Sequence, residues 1–153
     1  MAFFVVVVVV LVFIQSEVAI GAGVDAQLYR VLGSAFLIGW AYGAVPGIFA
    51  LPAGIGDAIT GLFAVPVAIG LASGTREART AAVAWNLFGL ADFAIALSIG
   101  MAITYGLIET GFASATGGLY PVVMIPAFAV PSSILLHAVS LRQLRRRARA
   151  AGR

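Results

Sequence analysis

The sequence predicts an all-α membrane protein: one bundle of five transmembrane helices, with the N-terminus outside and the C-terminus inside. Of the 153 residues, 62% are hydrophobic and 10% are charged, and the mean hydropathy is +1.10. A soluble domain carries roughly 25% charged residues. Five apolar stretches also have about the 20 residues that a transmembrane helix needs. These stretches are Ala2–Ile20, Val31–Phe49, Ile55–Ala72, Ala81–Tyr105 and Tyr120–Leu141.

Glycine, proline and polar residues separate the stretches, as expected of turns. The four predicted breaks are Gly21–Gly23 with Asp25, Leu51–Gly54, Ser73–Arg79 and Gly111–Gly118. The second break is so short that the helices on either side of it should form a tight hairpin.

The positions of the nine basic residues, all arginine, predict the orientation. Arg30 follows the first stretch, Arg76 and Arg79 follow the third, and the others follow the fifth. With five spans they all fall on one side, which the positive-inside rule assigns to the cytoplasm. Residues 1–141 then form one transmembrane domain and residues 142–153 a basic cytoplasmic tail. The remaining arginines are Arg142, Arg145, Arg146, Arg147, Arg149 and Arg153.

We expect the tail arginines to bind anionic lipid head groups, worth about 1 kcal/mol each near the surface. The tail has no interleaved aromatic residues and is too short to be a folded module, so nucleic acid is not an expected partner.

The N-terminus allows a second interpretation. Phe3–Ile14 has the length of a signal-peptide core, and small residues near Gly21 would permit cleavage. Cleavage would leave four spans and would place the arginine-rich tail outside, against the charge rule.

Composition excludes several kinds of chemistry. The chain has no cysteine and no lysine, so disulfides, thiolate catalysis and Schiff bases are not expected. A single histidine, His137, leaves too few ligands for a zinc or haem site within one chain. We therefore expect no metal and no cofactor.

Two aspartates lie inside apolar stretches, in matching nine-residue phrases. Gly54–Leu62 contains Asp57 and Gly89–Leu97 contains Asp92. A carboxylate at the centre of a membrane helix costs about 2.5–3.5 kcal/mol, and such residues commonly have a function. Each aspartate lies within a stripe of small residues, which is where membrane helices approach one another closely. Because the two helices run in opposite directions, the phrases also suggest an inverted repeat, as in many transporters.

The candidate intramembrane site consists of four polar residues, which are Asp57, Asn86, Asp92 and His137. Counted from the middle of the Thr75–Thr80 turn, the two aspartates differ in depth by roughly 7–8 Å. Their carboxyl groups would then meet only through a water molecule or another side chain.

The last span contains Pro121, Pro126 and Pro131, spaced five residues apart. An interior proline removes a backbone hydrogen bond and tends to kink a helix. We therefore expect this span to be the bent or moving element.

The segment Gly54-Ile55-Gly56-Asp57 resembles the Gly-x-Gly-Asp motif of intramembrane aspartyl proteases, the presenilin-like and prepilin-peptidase families. That resemblance implies that Asp57 is the motif aspartate and that Asp92 is its partner in hydrolysis. In those families, however, the partner precedes the motif, and no clear Pro-Ala-Leu element is present in this chain.

The phrases Leu51–Asp57 and Trp85–Asp92 together resemble small, uncharacterised multi-pass membrane proteins of bacteria. This resemblance implies a location in the bacterial inner membrane. Three functional hypotheses remain. The first is a non-enzymatic transporter-like or accessory subunit, in a homo-oligomer or a membrane complex, whose aspartates handle protons, cations or a polar solute. The second is an intramembrane aspartyl hydrolase. In the third, the aspartates only hydrogen-bond neighbouring helices.

Overall fold

A computed structural model describes residues 26–110 and 123–151, and every regular element in these two ranges is helical. The described part of the chain begins with a 3₁₀ helix and contains four α-helices, with a π-helical turn before the last. The elements are the 3₁₀ helix Ala26–Ser34, α1 Ala35–Ala41, α2 Gly47–Ala72, α3 Arg76–Thr104, the π turn Ile125–Ala129 and α4 Val130–Ala151.

The first hairpin packs the 3₁₀ helix and α1 against α2. Gly43 ends α1 with φ +70°, a conformation that glycine adopts at little cost, and the amide of Ala44 donates to the carbonyl of Gly39 over 2.8 Å. Pro46 then caps the start of α2. The predicted break at Leu51–Gly54 was therefore wrong: it lies inside α2, where Pro52 is accommodated.

The same turn shows that the predicted span Val31–Phe49 was also wrong, since residues 42–46 interrupt it. Proline inside a membrane helix is tolerated because neighbouring groups satisfy the freed carbonyl. The helix boundary needs a residue that accepts a positive φ, which Gly43 provides.

The second hairpin joins α2 to α3 through residues 73–75. Gly74 has φ +68°, and the Thr75 hydroxyl accepts a hydrogen bond from the amide of Ala78 over 3.2 Å. This N-cap starts α3 at Arg76, five residues before the predicted start at Ala81.

The last helix runs antiparallel to α3. Its irregular first turn, Ile125–Ala129, comes just before Pro131, which has no amide hydrogen to donate to the preceding turn. The π turn is a local irregularity of the backbone at Pro126 and beside Pro131, while the bending or movement of this span stays a prediction. Near the other end of the helix, the side chain of Leu144 joins a buried cluster with Ala64, Leu71, Ala82 and Trp85.

Within the described residues, three helical segments are long and apolar enough to cross a membrane: Gly47–Ala72, Arg76–Thr104 and Ile125–Arg149. The protein is therefore all-helical in its described parts, with membrane-compatible helices. The predicted first span, Ala2–Ile20, and the predicted break at Gly111–Gly118 lie outside the described residues.

Candidate functional site

The side chain of Arg30 lies at the centre of the bundle and is 2% exposed. Its Nε donates to Oδ1 of Asp57 over 2.6 Å, and its Nη2 forms a short ion pair with Oδ2 of Asp92. One guanidinium therefore joins the 3₁₀ helix to α2 and α3. We call Arg30, Asp57 and Asp92 the charge cluster.

The two aspartates face each other at the same depth. Asp57 lies 15 residues before the end of α2, and Asp92 lies 16 residues after the start of α3. At a rise of about 1.5 Å per residue, they differ in depth by roughly 2 Å. The expected difference of 7–8 Å was wrong, because the turn is centred on Gly74 rather than within Thr75–Thr80.

Glycines make room for the carboxylates. A Cβ atom on Gly33 would overlap the carboxylate of Asp57, and a Cβ on Gly56 would overlap that of Asp92. Both positions therefore need glycine for steric reasons.

The remaining side of the guanidinium is also occupied. Nη1 of Arg30 lies 3.4 Å from the carbonyl oxygen of Gly89 and 3.4 Å from Nε2 of His137. The Phe93 ring lies under the guanidinium, with its centroid 3.8 Å from Cζ, a cation–π contact. Arg30 is thus held from four directions.

A chain of hydrogen bonds assigns the tautomer of His137. The amide nitrogen of Asn86 donates to the carbonyl of Ala82 over 2.7 Å and to the hydroxyl of Ser140 over 3.0 Å. Its oxygen, 2.9 Å from Nδ1 of His137, must therefore be an acceptor. The proton of the imidazole thus lies on Nδ1, and the Nε2 lone pair faces Arg30.

All four sequence-predicted site residues, Asp57, Asn86, Asp92 and His137, consequently meet in one hydrogen-bonded group. The member that sequence reasoning missed is Arg30, which was assigned to a cytoplasmic loop. That assignment was wrong. Arg30 directly precedes an apolar stretch, where an arginine can either pair with an intramembrane carboxylate or mark a cytoplasmic loop, so the sequence alone does not decide between the two.

A second polar group lies beside the charge cluster, where the 3₁₀ helix meets the start of α4, and sequence reasoning missed it as well. Nε2 of Gln27 donates to the carbonyl of Ser133 over 3.1 Å, while Oε1 of Gln27 has no partner in the described part of the chain. The Tyr29 hydroxyl hydrogen-bonds to the hydroxyl of Ser133 and lies 3.3 Å from the carbonyl of Ala129. These contacts fix the 3₁₀ helix against α4.

The predicted tail arginines lie on a continuation of α4, which stays helical to Ala151. Because α4 is parallel to α2, these arginines lie at the same end of the bundle as the turn at residues 73–75. Arg76 and Arg79 are at that end too. The tail members within the described residues are Arg142, Arg145, Arg146, Arg147 and Arg149.

Among residues 26–110 and 123–151, no group of three or more His, Cys, Asp or Glu side chains is arranged to hold a metal ion. The guanidinium of Arg30 takes the position between the carboxylates.

In the part of the chain that the structure describes, the protein is helical, with three membrane-compatible helices and a buried cluster of one arginine and two aspartates. The model of the family described as a domain of unknown function, DUF8737, matches residues 1–145, and the chain belongs to that family. No curated protein and no solved structure matches the chain.

Proposed function

We propose that this protein is a small multi-pass membrane protein, transporter-like or an accessory subunit, whose charge cluster binds and releases a proton. The observation that carries the proposal is the buried pairing of one guanidinium with two carboxylates, at Arg30, Asp57 and Asp92.

The charge of the cluster supplies the driving force. With both aspartates ionised, one positive and two negative charges leave a net charge of −1 on side chains that are mostly buried. An uncompensated charge at bilayer depth is costly. The cluster therefore gains stability when it takes up one positive charge, and it can release that charge when its surroundings change.

A proton fits the cluster better than a metal cation does. The guanidinium of Arg30 already occupies the space between the carboxylates, with its Nε on Asp57 and Nη2 on Asp92. A proton can bind to a carboxyl oxygen without displacing the guanidinium. A larger cation or a polar solute would have to compete with Arg30.

The geometry gives less support to the hydrolase hypothesis. Aspartyl hydrolysis requires two carboxyl groups that share a proton and activate one water molecule. Here Asp57 and Asp92 each bind a different nitrogen of Arg30. The third hypothesis, in which the aspartates only hydrogen-bond neighbouring helices, also accounts for these contacts. Two neutral partners, however, would join the helices without leaving a net charge of −1.

We further propose that the protein crosses a bacterial inner membrane five times, with the 3₁₀ helix and α1 in place of the predicted span Val31–Phe49, the N-terminus out and the C-terminus in. Support comes from the arginines of α3 and α4 at one end of the bundle, which the positive-inside rule places in the cytoplasm. Exposed apolar side chains such as Leu62, Ile69 and Leu135 are compatible with lipid contact, or with a homo-oligomer or larger complex.

Infrared difference spectroscopy of the reconstituted protein, between acidic and alkaline buffer, tests the proton site directly. We expect the wild type to show the band of a desolvated carboxylic acid. Asp57→Asn and Asp92→Asn should each abolish this band completely. Either substitution leaves a neutral pair of Arg30 and one carboxylate, which needs no added proton.

The matched control is Glu77→Gln, which removes an exposed carboxylate from the first turn of α3 and should leave the band unchanged. A band that survives in both aspartate variants, or that is absent from the wild type, would overturn the proposal. Circular dichroism establishes that each variant is folded.

A further inference from the structure

A cavity of about 240 Å³ opens at the arginine-rich end of the bundle, between the α2–α3 turn and α4. It is separate from the charge cluster. Two leucines form its apolar part and two arginines its polar part. Its lining residues are Leu71, Gly74, Arg79, Leu144 and Arg147.

The two cavity arginines differ from the others at this end. Arg79 and Arg147 are half-buried, whereas Arg145, Arg146 and Arg149 are exposed. Neither cavity arginine forms an ion pair with any residue of the described ranges. Two positive charges that share a small cavity repel each other, and an anion between them removes that repulsion.

The guanidinium of Arg79 is already oriented by its own turn. Its Nε donates to the carbonyl of Thr75 over 3.3 Å, and its Nη2 donates to the carbonyl of Gly74 over 3.2 Å. No acceptor among the described residues takes the hydrogens of Nη1. A fixed arginine fork of this kind suits the oxygens of a phosphate group.

The apolar part of the cavity limits the class of ligand. Leu71 and Leu144 belong to the buried cluster of the bundle, so the cavity floor is continuous with apolar surface. An occupant that satisfies both parts has an anionic head and a hydrocarbon chain. We propose that this cavity binds one anionic phospholipid, with its phosphodiester between Arg79 and Arg147 and the start of an acyl chain on Leu71 and Leu144.

Native mass spectrometry of the detergent-solubilised protein, with phosphatidylglycerol or phosphatidylcholine added, tests this site. We expect the wild type to retain one phosphatidylglycerol molecule with at least tenfold preference over phosphatidylcholine. The double variant R79Q/R147Q should lose that preference. R145Q/R149Q removes the same charge from exposed positions of the same end and should lower the preference less, because these arginines meet lipid head groups only at the surface.

An equal loss in the two double variants would overturn the proposal, because the preference would then come from the net charge of this end. Displacement of the lipid by millimolar inorganic phosphate would overturn it as well, since the site would then recognise phosphate without a chain. A wild-type protein that binds phosphatidylglycerol and phosphatidylcholine equally would also overturn the proposal. The far-ultraviolet circular dichroism of both variants should match the wild type.

Discussion

At the scale of single residues, the folded state depends on the groups that compensate the positive charge of the buried Arg30 side chain. Arg30 donates to two carboxylates and one backbone carbonyl, and it lies over the Phe93 ring. A buried ion pair adds little stability by itself, but removing one partner costs about 3–5 kcal/mol because a charge is left uncompensated. Arg30 is therefore needed wherever both aspartates are kept.

The polar residues of the site were predictable from sequence, and their central partner was not. Asp57, Asp92, Asn86 and His137 stand out because each is costly at bilayer depth. Arg30 does not stand out in the same way, since an arginine near the end of an apolar stretch also marks a cytoplasmic loop. Only the backbone path of the 3₁₀ helix distinguishes the two possibilities.

The glycines beside the carboxylates give a residue-scale prediction. Gly56→Ala should destabilise the protein by about 1–3 kcal/mol, because the added methyl group overlaps the carboxylate of Asp92 and overpacks the site. Thermal unfolding in detergent, followed by circular dichroism, measures the effect.

The matched control is Gly70→Ala in the same helix, where the new Cβ would meet only the Cβ of Ala78, at 3.9 Å. That variant should be as stable as the wild type or more stable by up to about 1 kcal/mol, because alanine has a higher helix propensity than glycine. Equal melting temperatures for the two variants would contradict the steric account.

At the scale of elements, the 3₁₀ helix explains how Arg30 reaches the site. A 3₁₀ helix has three residues per turn, so residues three apart align along one face. Gln27, Arg30 and Gly33 are spaced in this way, and they carry the contacts to α4 and to both aspartates. Apolar residues such as Leu28 and Leu32 are exposed instead.

The element boundaries show what sequence patterns leave undetermined. The α2–α3 hairpin was predicted because its turn carries polar residues, although α3 begins earlier than expected. The break before α2 was misplaced because Leu51–Gly54 and Tyr42–Pro46 both contain a glycine and a proline. Nothing in the composition alone indicates that Pro52 lies inside a helix while Pro46 caps one.

Close packing of the 3₁₀ helix on α2 gives an element-scale prediction. A Cβ on Gly61 would lie 2.5 Å from the backbone nitrogen of Val31, which cannot move without shifting the helix that carries Arg30. Gly61→Ala should therefore enlarge the acid-dependent carboxyl band in infrared spectra, because two aspartates separated from Arg30 take up two protons rather than one, although the substitution itself changes no charge.

Gly100→Ala is the control for that experiment, because its Cβ would make only an ordinary 3.6 Å contact with the Phe49 ring. This variant should keep the band. A band of wild-type size in Gly61→Ala would mean that the charge cluster does not depend on the docking of the 3₁₀ helix.

At the scale of the whole molecule, the basic residues are unevenly distributed along the axis of the bundle. The arginines of α3 and α4 gather at the end that holds the 73–75 turn, while Arg30 is buried among the helices. The positive-inside argument therefore does not need Arg30, because the other described arginines still lie together at one end of the bundle. The end with Leu107 and Glu109 has no basic residue within the described ranges.

This distribution of arginines predicts that the two ends of α3 lie on opposite sides of the membrane. Because the chain has no cysteine, a single introduced cysteine reports its own position without background. Ser73→Cys lies in an exposed turn at the arginine-rich end, and Leu107→Cys replaces a side chain that is 80% exposed at the other. In bacterial spheroplasts, a membrane-impermeant maleimide should label Leu107→Cys at once and Ser73→Cys only after the membrane is permeabilised. The reverse pattern would show that the charge rule fails for this protein, and immediate labelling of both would show that α3 does not cross the membrane.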